Sequence, residues 1–162
     1  MSDPSKLPGN GLALYTAEQR LRRDESGWTL VQGILAPVQF LVFLVSVALV
    51  LRFLATGAGY EAATISIVVK TGVLYLIMVT GAIWEKVVFG QYLFAPPFFW
   101  EDVFSFAVIA LHTAYLVALF TGSVSPTGLM VIALAAYATY AINAGQFLRK
   151  LRLARLEAEA LS

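Results

Sequence analysis

An all-α integral membrane four-helix bundle with both termini cytoplasmic is the fold class this sequence predicts, and three observations carry it. The 162-residue chain is 59% hydrophobic and 13% charged, with a mean hydropathy of +0.78, far from an ordinary soluble domain. Its apolar residues gather into four runs, each close to the roughly 20 residues that cross a hydrocarbon core of about 30 Å. Arg20, Arg22 and Arg23 precede the first run, Lys86 lies between the second and third, and Arg149, Lys150, Arg152 and Arg155 follow the fourth, while the turns 55–61 and 121–126 carry no lysine or arginine. Basic residues collect on the cytoplasmic side, so that side takes both termini and the long central connector.

Residues 1–26 read as a cytoplasmic, partly disordered N-terminal segment. Met1 to Gly11 is rich in proline and glycine. Thr16-Ala17-Glu18-Gln19 sets a capping threonine three residues ahead of a glutamine, the mark of a short interfacial helix. No apolar leader with a small-residue cleavage site occurs in the first 25 residues, so the first span is expected to direct its own insertion. The membrane domain is expected over 27–149, with spans near 28–54, 62–84, 103–120 and 127–148, and a cytoplasmic basic tail over 150–162. Pro37 is expected to kink span one. The tiny first and last connectors make two antiparallel hairpins, and no internal repeat is present.

A net charge of +1 gives no reason to expect nucleic acid, and the absence of cysteine excludes disulfides, thiol catalysis and thiolate metal sites. Polar residues inside the spans each need a reason, because an ionisable group costs roughly 2.5 to 3.5 kcal/mol in a bilayer on insertion scales. Trp28, Gln32, Gln39 and Ser46 fall on one stripe of span one, and Thr71, Tyr75, Met78, Ala82 and Glu85 share a face of span two. Interhelical hydrogen bonding and a pocket lining are the two readings of these stripes. Lys70 lies about 12 Å from the outer end of its span, where it either snorkels outward or makes an internal ion pair or a contact with a substrate carboxylate. Glu101 and His112 share a face of span three, about 16 Å apart in depth; the histidine is read either as a hydrogen-bonding side chain or as an axial ligand of a metal in a bound macrocycle. Tyr140, Asn143 and Phe147 are spaced by one turn in span four, and Asn143 with Gln146 reaches towards the interior.

The central connector, residues 84–102, is unlike a mere turn. It carries Trp84, Phe89, Tyr92, Phe94, Phe98, Phe99 and Trp100, with Glu85 and Lys86 at one end and Glu101 and Asp102 at the other. A helix hairpin brings those ends together, so three carboxyls and a lysine surround rings able to line a pocket for a large flat apolar molecule. Interfacial anchoring by tryptophans, and acids favoured at a helix start, is the plainer explanation.

The segments Trp28-Thr29-Leu30-Val31-Gln32-Gly33-Ile34-Leu35-Ala36-Pro37-Val38-Gln39-Phe40, Ile83-Trp84-Glu85-Lys86, Phe94-Ala95-Pro96-Pro97-Phe98-Phe99-Trp100-Glu101-Asp102-Val103 and Ala141-Ile142-Asn143-Ala144-Gly145-Gln146-Phe147 closely resemble the 3-vinyl (bacterio)chlorophyllide hydratase family of bacteriochlorophyll biosynthesis, over about residues 15–157. The resemblance implies an enzyme, a carbon–oxygen hydro-lyase that hydrates the C3 vinyl group of a chlorophyllide-type magnesium tetrapyrrole. The addition is redox-neutral, so no cofactor is expected beyond the magnesium carried by the substrate, and no protein-bound metal. Expected partners are the tetrapyrrole, water and the lipid bilayer, with other enzymes of the pathway as candidates; the expected location is the bacterial inner or intracytoplasmic membrane.

Physical inference then distributes roles. Two carboxyls in unlike environments can divide acid and base work: Glu101 or Glu85 as proton donor, Asp102 or the other glutamate orienting water, and Lys86 holding the ionised partner or the substrate propionate. Trp84, Trp100, Phe99, Tyr92, Gln32, Gln39, Tyr75, Asn143 and His112 are the expected substrate-binding side chains. A non-catalytic pigment carrier or assembly subunit is the competing reading, and a small proton-coupled transporter using Lys70, His112 and Glu85 a third.

Overall fold

The computed structural model describes residues 13–162, so the proline-rich lead expected to be disordered lies outside the described residues. A short helix α1 (Ala17–Glu25) is followed by α2 (Gly27–Thr56), α3 (Tyr60–Phe89), a 3-10 turn at Pro96–Phe98, α4 (Phe99–Thr121) and α5 (Pro126–Leu161). Four of these helices are long and apolar enough to cross a membrane, and no strand occurs among the described residues.

Each boundary has a local cause. At α1 the capping box forms as expected: Gln19 N–H donates to Thr16 Oγ1 at 3.1 Å and Thr16 N–H to Gln19 Oε1 at 2.9 Å. Ser26 caps α2 by accepting from Trp28 N–H at 3.1 Å. The helix then runs through Pro37 without a break and stops at Gly57, whose φ of 71° suits a residue without Cβ. Ser125 caps α5, with Pro126 in its first turn. That last helix has 36 residues, about 54 Å at ~1.5 Å each, so the basic segment that follows span four is helical and continuous with it as far as Leu161.

The two hairpins, α2 with α3 and α4 with α5, form the closest pairs, joined along α2–α5 and α3–α4. Near their turns they enclose a core around Val50, Ile67, Tyr115, Met130 and Tyr137. Outside, Leu41, Val45, Leu51, Val79, Val117 and Phe120 are all more than half exposed. The interior instead buries Gln39, Ser46, Lys70, Thr71, Glu85, Glu101, Asp102, Ser105, His112 and Asn143. Apolar outside and polar within is the arrangement a lipid solvent selects.

One end of the bundle gathers α1, the connector between α3 and α4, and the extension of α5. Glu157 of α5 accepts from the backbone N–H of Leu14 and Tyr15 and pairs with Arg20, while Arg22 donates to the Val88 carbonyl at the end of α3. Tyr15 stacks on Phe89 at 5.6 Å and lies against Phe98, so α1 is strapped over this end.

Candidate active site

Three carboxyls meet under that strap. Glu85 stands in the last turn of α3; Glu101 and Asp102 open α4, where the helix dipole favours acids. All three are buried, at 4%, 7% and 3% exposure, which separates them from the exposed acids of an interfacial anchor. The Glu85 and Asp102 carboxyls are neighbours. Two buried carboxylates side by side repel each other.

The connector backbone is wrapped onto the same two acids. Phe94 N–H donates to Asp102 Oδ2 at 2.9 Å and Ala95 N–H to Glu85 Oε2 at 3.3 Å. Phe94 adopts φ 61°, the left-handed conformation that non-glycine residues avoid, and no other described non-glycine residue does so. Strain of that kind costs on the order of 1 to 3 kcal/mol and persists only where neighbours fix it. Here it aims two successive N–H groups at two carboxyls.

Glu101 faces another partner. Lys150 Nζ lies 3.6 Å from Glu101 Oε1 and donates to the Pro97 carbonyl at 2.6 Å. Asn143 Nδ2 donates to the Glu101 carbonyl at 3.1 Å, and Asn143 Oδ1 accepts from Ser105 Oγ at 3.1 Å. The mouth therefore holds two neighbouring buried carboxyls beside a third that is paired with an ammonium. Among the described residues no three His, Asp or Glu side chains group as metal ligands.

Several expected site residues stand elsewhere. Lys86 turns outward, donates to the Gly90 carbonyl at 2.9 Å and lies 5.5 Å from the Tyr92 ring centre; among the described residues it pairs with no carboxylate, and Lys150 is the lysine beside Glu101. Trp84 is packed edge-on against Phe89 and Phe98, its indole N–H bound to Thr29. Trp100, Tyr92 and Phe99 are 67%, 60% and 42% exposed, so they line no enclosed pocket. With Phe94, which stacks on Phe106 at 5.5 Å and touches Phe99 at 5.6 Å, the last ring and Trp100 make an outward aromatic face beside the acids.

Gln32 is tied to Thr80 at 2.6 Å and Tyr75 to Thr113 at 2.6 Å, both as interhelical hydrogen bonds. Gln32 also lies so near Gly81 that a Cβ there would stand 3.3 Å from its Oε1. The stripe of span one faces inward at Gln39 and Ser46 but not at Trp28, which is exposed. His112 is 1% exposed and adjoins Tyr137, deep in the bundle and away from the mouth. Lys70 does not snorkel: it is fully buried, without an ion pair among the described residues, 3.7 Å from the Tyr140 ring centre.

Lys150, Ser105 and Phe94 are the neighbours that sequence reasoning missed. Lys150 could have been found, because it prolongs by one turn the stripe of Asn143 and Phe147. Phe94 could not, since nothing in a phenylalanine signals a left-handed backbone.

A family model described as 2-vinyl bacteriochlorophyllide hydratase matches residues 15–153. The chain is 77% identical over 148 residues, 91% of each chain, to the 2-vinyl bacteriochlorophyllide hydratase of Cereibacter sphaeroides. It is 76% identical over 147 residues, 90% of this chain and 85% of the relative, to the protein of that name from Rhodobacter capsulatus. No solved structure matches.

Proposed function

This chain belongs to the 2-vinyl bacteriochlorophyllide hydratase family, and on that footing we propose how its buried acids hydrate a vinyl group. It is a hydro-lyase of bacteriochlorophyll biosynthesis, and the relatives' shared name favours this reading over a pigment carrier. The substrate is a chlorophyllide-type magnesium tetrapyrrole, and the group is the one called 2-vinyl in the family's description and 3-vinyl in the newer ring numbering.

One proton, placed between Glu85 and Asp102 because two buried carboxylates side by side cannot both ionise cheaply, goes to the terminal vinyl carbon. Positive charge then forms on the carbon next to the ring, where the conjugated macrocycle spreads it. Water adds there, and its surplus proton passes to the Glu101 carboxylate, leaving the 1-hydroxyethyl product. Return of that proton to the Glu85–Asp102 pair resets the site, so nothing is oxidised or reduced and no cofactor takes part. Lys150 positions Glu101 and pins the connector at Pro97. The macrocycle is assigned to the exposed face of Phe94, Phe99, Trp100 and Phe106, reached from the bilayer; flat apolar rings stack on such faces. The mouth is assigned to the cytoplasmic side of the inner membrane, supported by the cations gathered there.

The observation that carries the role assignment is the burial of Glu85 and Asp102 on the successive N–H groups of Ala95 and Phe94. Membranes containing the wild-type chain should convert the vinyl chlorophyllide, without added cofactor, to a blue-shifted product heavier by one water. E85Q and D102N each lose the shared proton, and turnover should fall by about 10² to 10⁴, the usual share of general acid catalysis. Wild-type rates in both variants, at wild-type membrane levels, would sink the assignment.

A further inference from the structure

Halfway down the bundle a second group of polar side chains is buried with hydrogen-bonding capacity left over. Lys70 of α3 is fully enclosed, its Nζ 3.7 Å from the Tyr140 ring centre and 5.8 Å from that of Tyr137. His112 of α4 is 1% exposed, its ring centre 5.7 Å from that of Tyr137, and close enough to Lys70 for their charges to interact. Gln39 of α2, 4% exposed, contacts the Tyr140 hydroxyl of α5. Among the described residues, Lys70 Nζ, His112 Nε2 and Gln39 Oε1 have no hydrogen-bond partner. A buried polar atom left unpaired costs about 1 to 3 kcal/mol, and here three belong to helices that meet round the same two tyrosines.

We propose that this is an ordered-water site, in which a bound water accepts from Lys70 Nζ and donates to His112 Nε2, with Gln39 Oε1 as its second acceptor. Donor and acceptor chemistry selects the ligand. His112 Nδ1 lies 2.8 Å from the Val108 carbonyl, which can only accept, so Nδ1 carries the hydrogen and Nε2 presents a lone pair. Gln39 Oε1 likewise only accepts, and an ammonium only donates. A halide or carboxylate would face two lone pairs, and a metal cation would face the ammonium. Water supplies two hydrogens and a lone pair, matching all three groups. The faces of Tyr137 and Tyr140 stabilise the ammonium through the ring quadrupole but offer it no acceptor atom in place of water. Immobilising one water costs at most about 2 kcal/mol, less than leaving three polar atoms unpaired. The site lies apart from the acids of the mouth: His112 is eleven residues, about 16 Å, below Glu101 on the same helix. It ties α2, α3, α4 and α5 at one level.

His112 is the single histidine of the chain, which makes the test direct. The full-length protein, ¹⁵N-labelled and reconstituted in lipid bilayers, is studied by solid-state NMR with polarisation transferred from water protons. The expected spectrum has a protonated Nδ1 and an unprotonated Nε2 that receives transfer from water. K70M should weaken that transfer and move Nε2 towards the position of a free lone pair, and Q39L should weaken it without touching either nitrogenous partner. A proton on Nε2, or no transfer from water in the wild-type chain, overturns the proposal whatever the variants do. Transfer that is unchanged in both folded variants overturns it as well.

Discussion

Glu85, Glu101 and Asp102 are ordinary acids at helix ends, and what singles them out is the company each keeps. Glu85 and Asp102 lie side by side, each accepting from a connector N–H, while Glu101 has the Lys150 ammonium 3.6 Å away. The two lysines of the mouth can therefore be told apart. K150M should lower turnover about tenfold or more, equal to about 1.4 kcal/mol of transition-state stabilisation, with K150R recovering part of it. K86M should stay near the wild-type rate, because the polar and ring contacts of Lys86 among the described residues are the Gly90 carbonyl and the Tyr92 ring. Rates of vinyl hydration in membranes holding equal amounts of each variant decide this, and the reverse ranking would return the role to Lys86. Lys70 carries the same lesson. From sequence it could reach the interface or find an acid, but ring faces from α5 give it a third solution.

At the scale of elements, one side chain of α5 ties down the start of the α1 strap. Glu157 is 3% exposed and serves two backbone N–H groups and Arg20. E157A leaves those donors unpaired, and the release of α1 should become easier by about 2 kcal/mol, the scale of a hydrogen bond to a charged group. Limited proteolysis between α1 and α2 reads that release. Tyr15 adds a pH dependence to the strap. Burial pushes its phenol above the ordinary 10.0, against the pull of the Arg23 guanidinium 4.5 Å from the ring centre. A raised value means the fold favours the neutral phenol, so this contribution is intact below pH 10.0 and is lost as pH rises through the folded value. Proteolysis of the wild-type strap should quicken in that range more than that of Y15F; equal acceleration in both would assign the effect to other groups.

For the whole molecule, orientation follows from where the cations lie. Arg20, Arg22, Arg23, Lys86, Arg149, Lys150, Arg152 and Arg155 gather at the mouth, against Arg52 at the opposite end near Gly59. Because the chain has no cysteine, single replacements report topology without background. S162C should react with an impermeant thiol reagent from the cytoplasmic side and S123C from the other side alone; exchange of the two results would invert the bundle. The four helices, the hairpin turns and the capping box of α1 were legible in the sequence, because hydropathy, glycine and a threonine–glutamine pair act through local chemistry. So was the meeting of Glu85 with Glu101 and Asp102, since a hairpin of two spans must bring its ends together. The partner of each acid was not. Lys150 lies 49 residues from Glu101, and only the packing of α5 on α4 decides that its ammonium arrives there while Lys86, next to Glu85 in the chain, points away. The sequence by itself determined the membrane fold and its family; the tertiary structure decided which acids stand side by side and which is paired with a lysine, because those choices depend on distances between helices that no spacing along one helix contains.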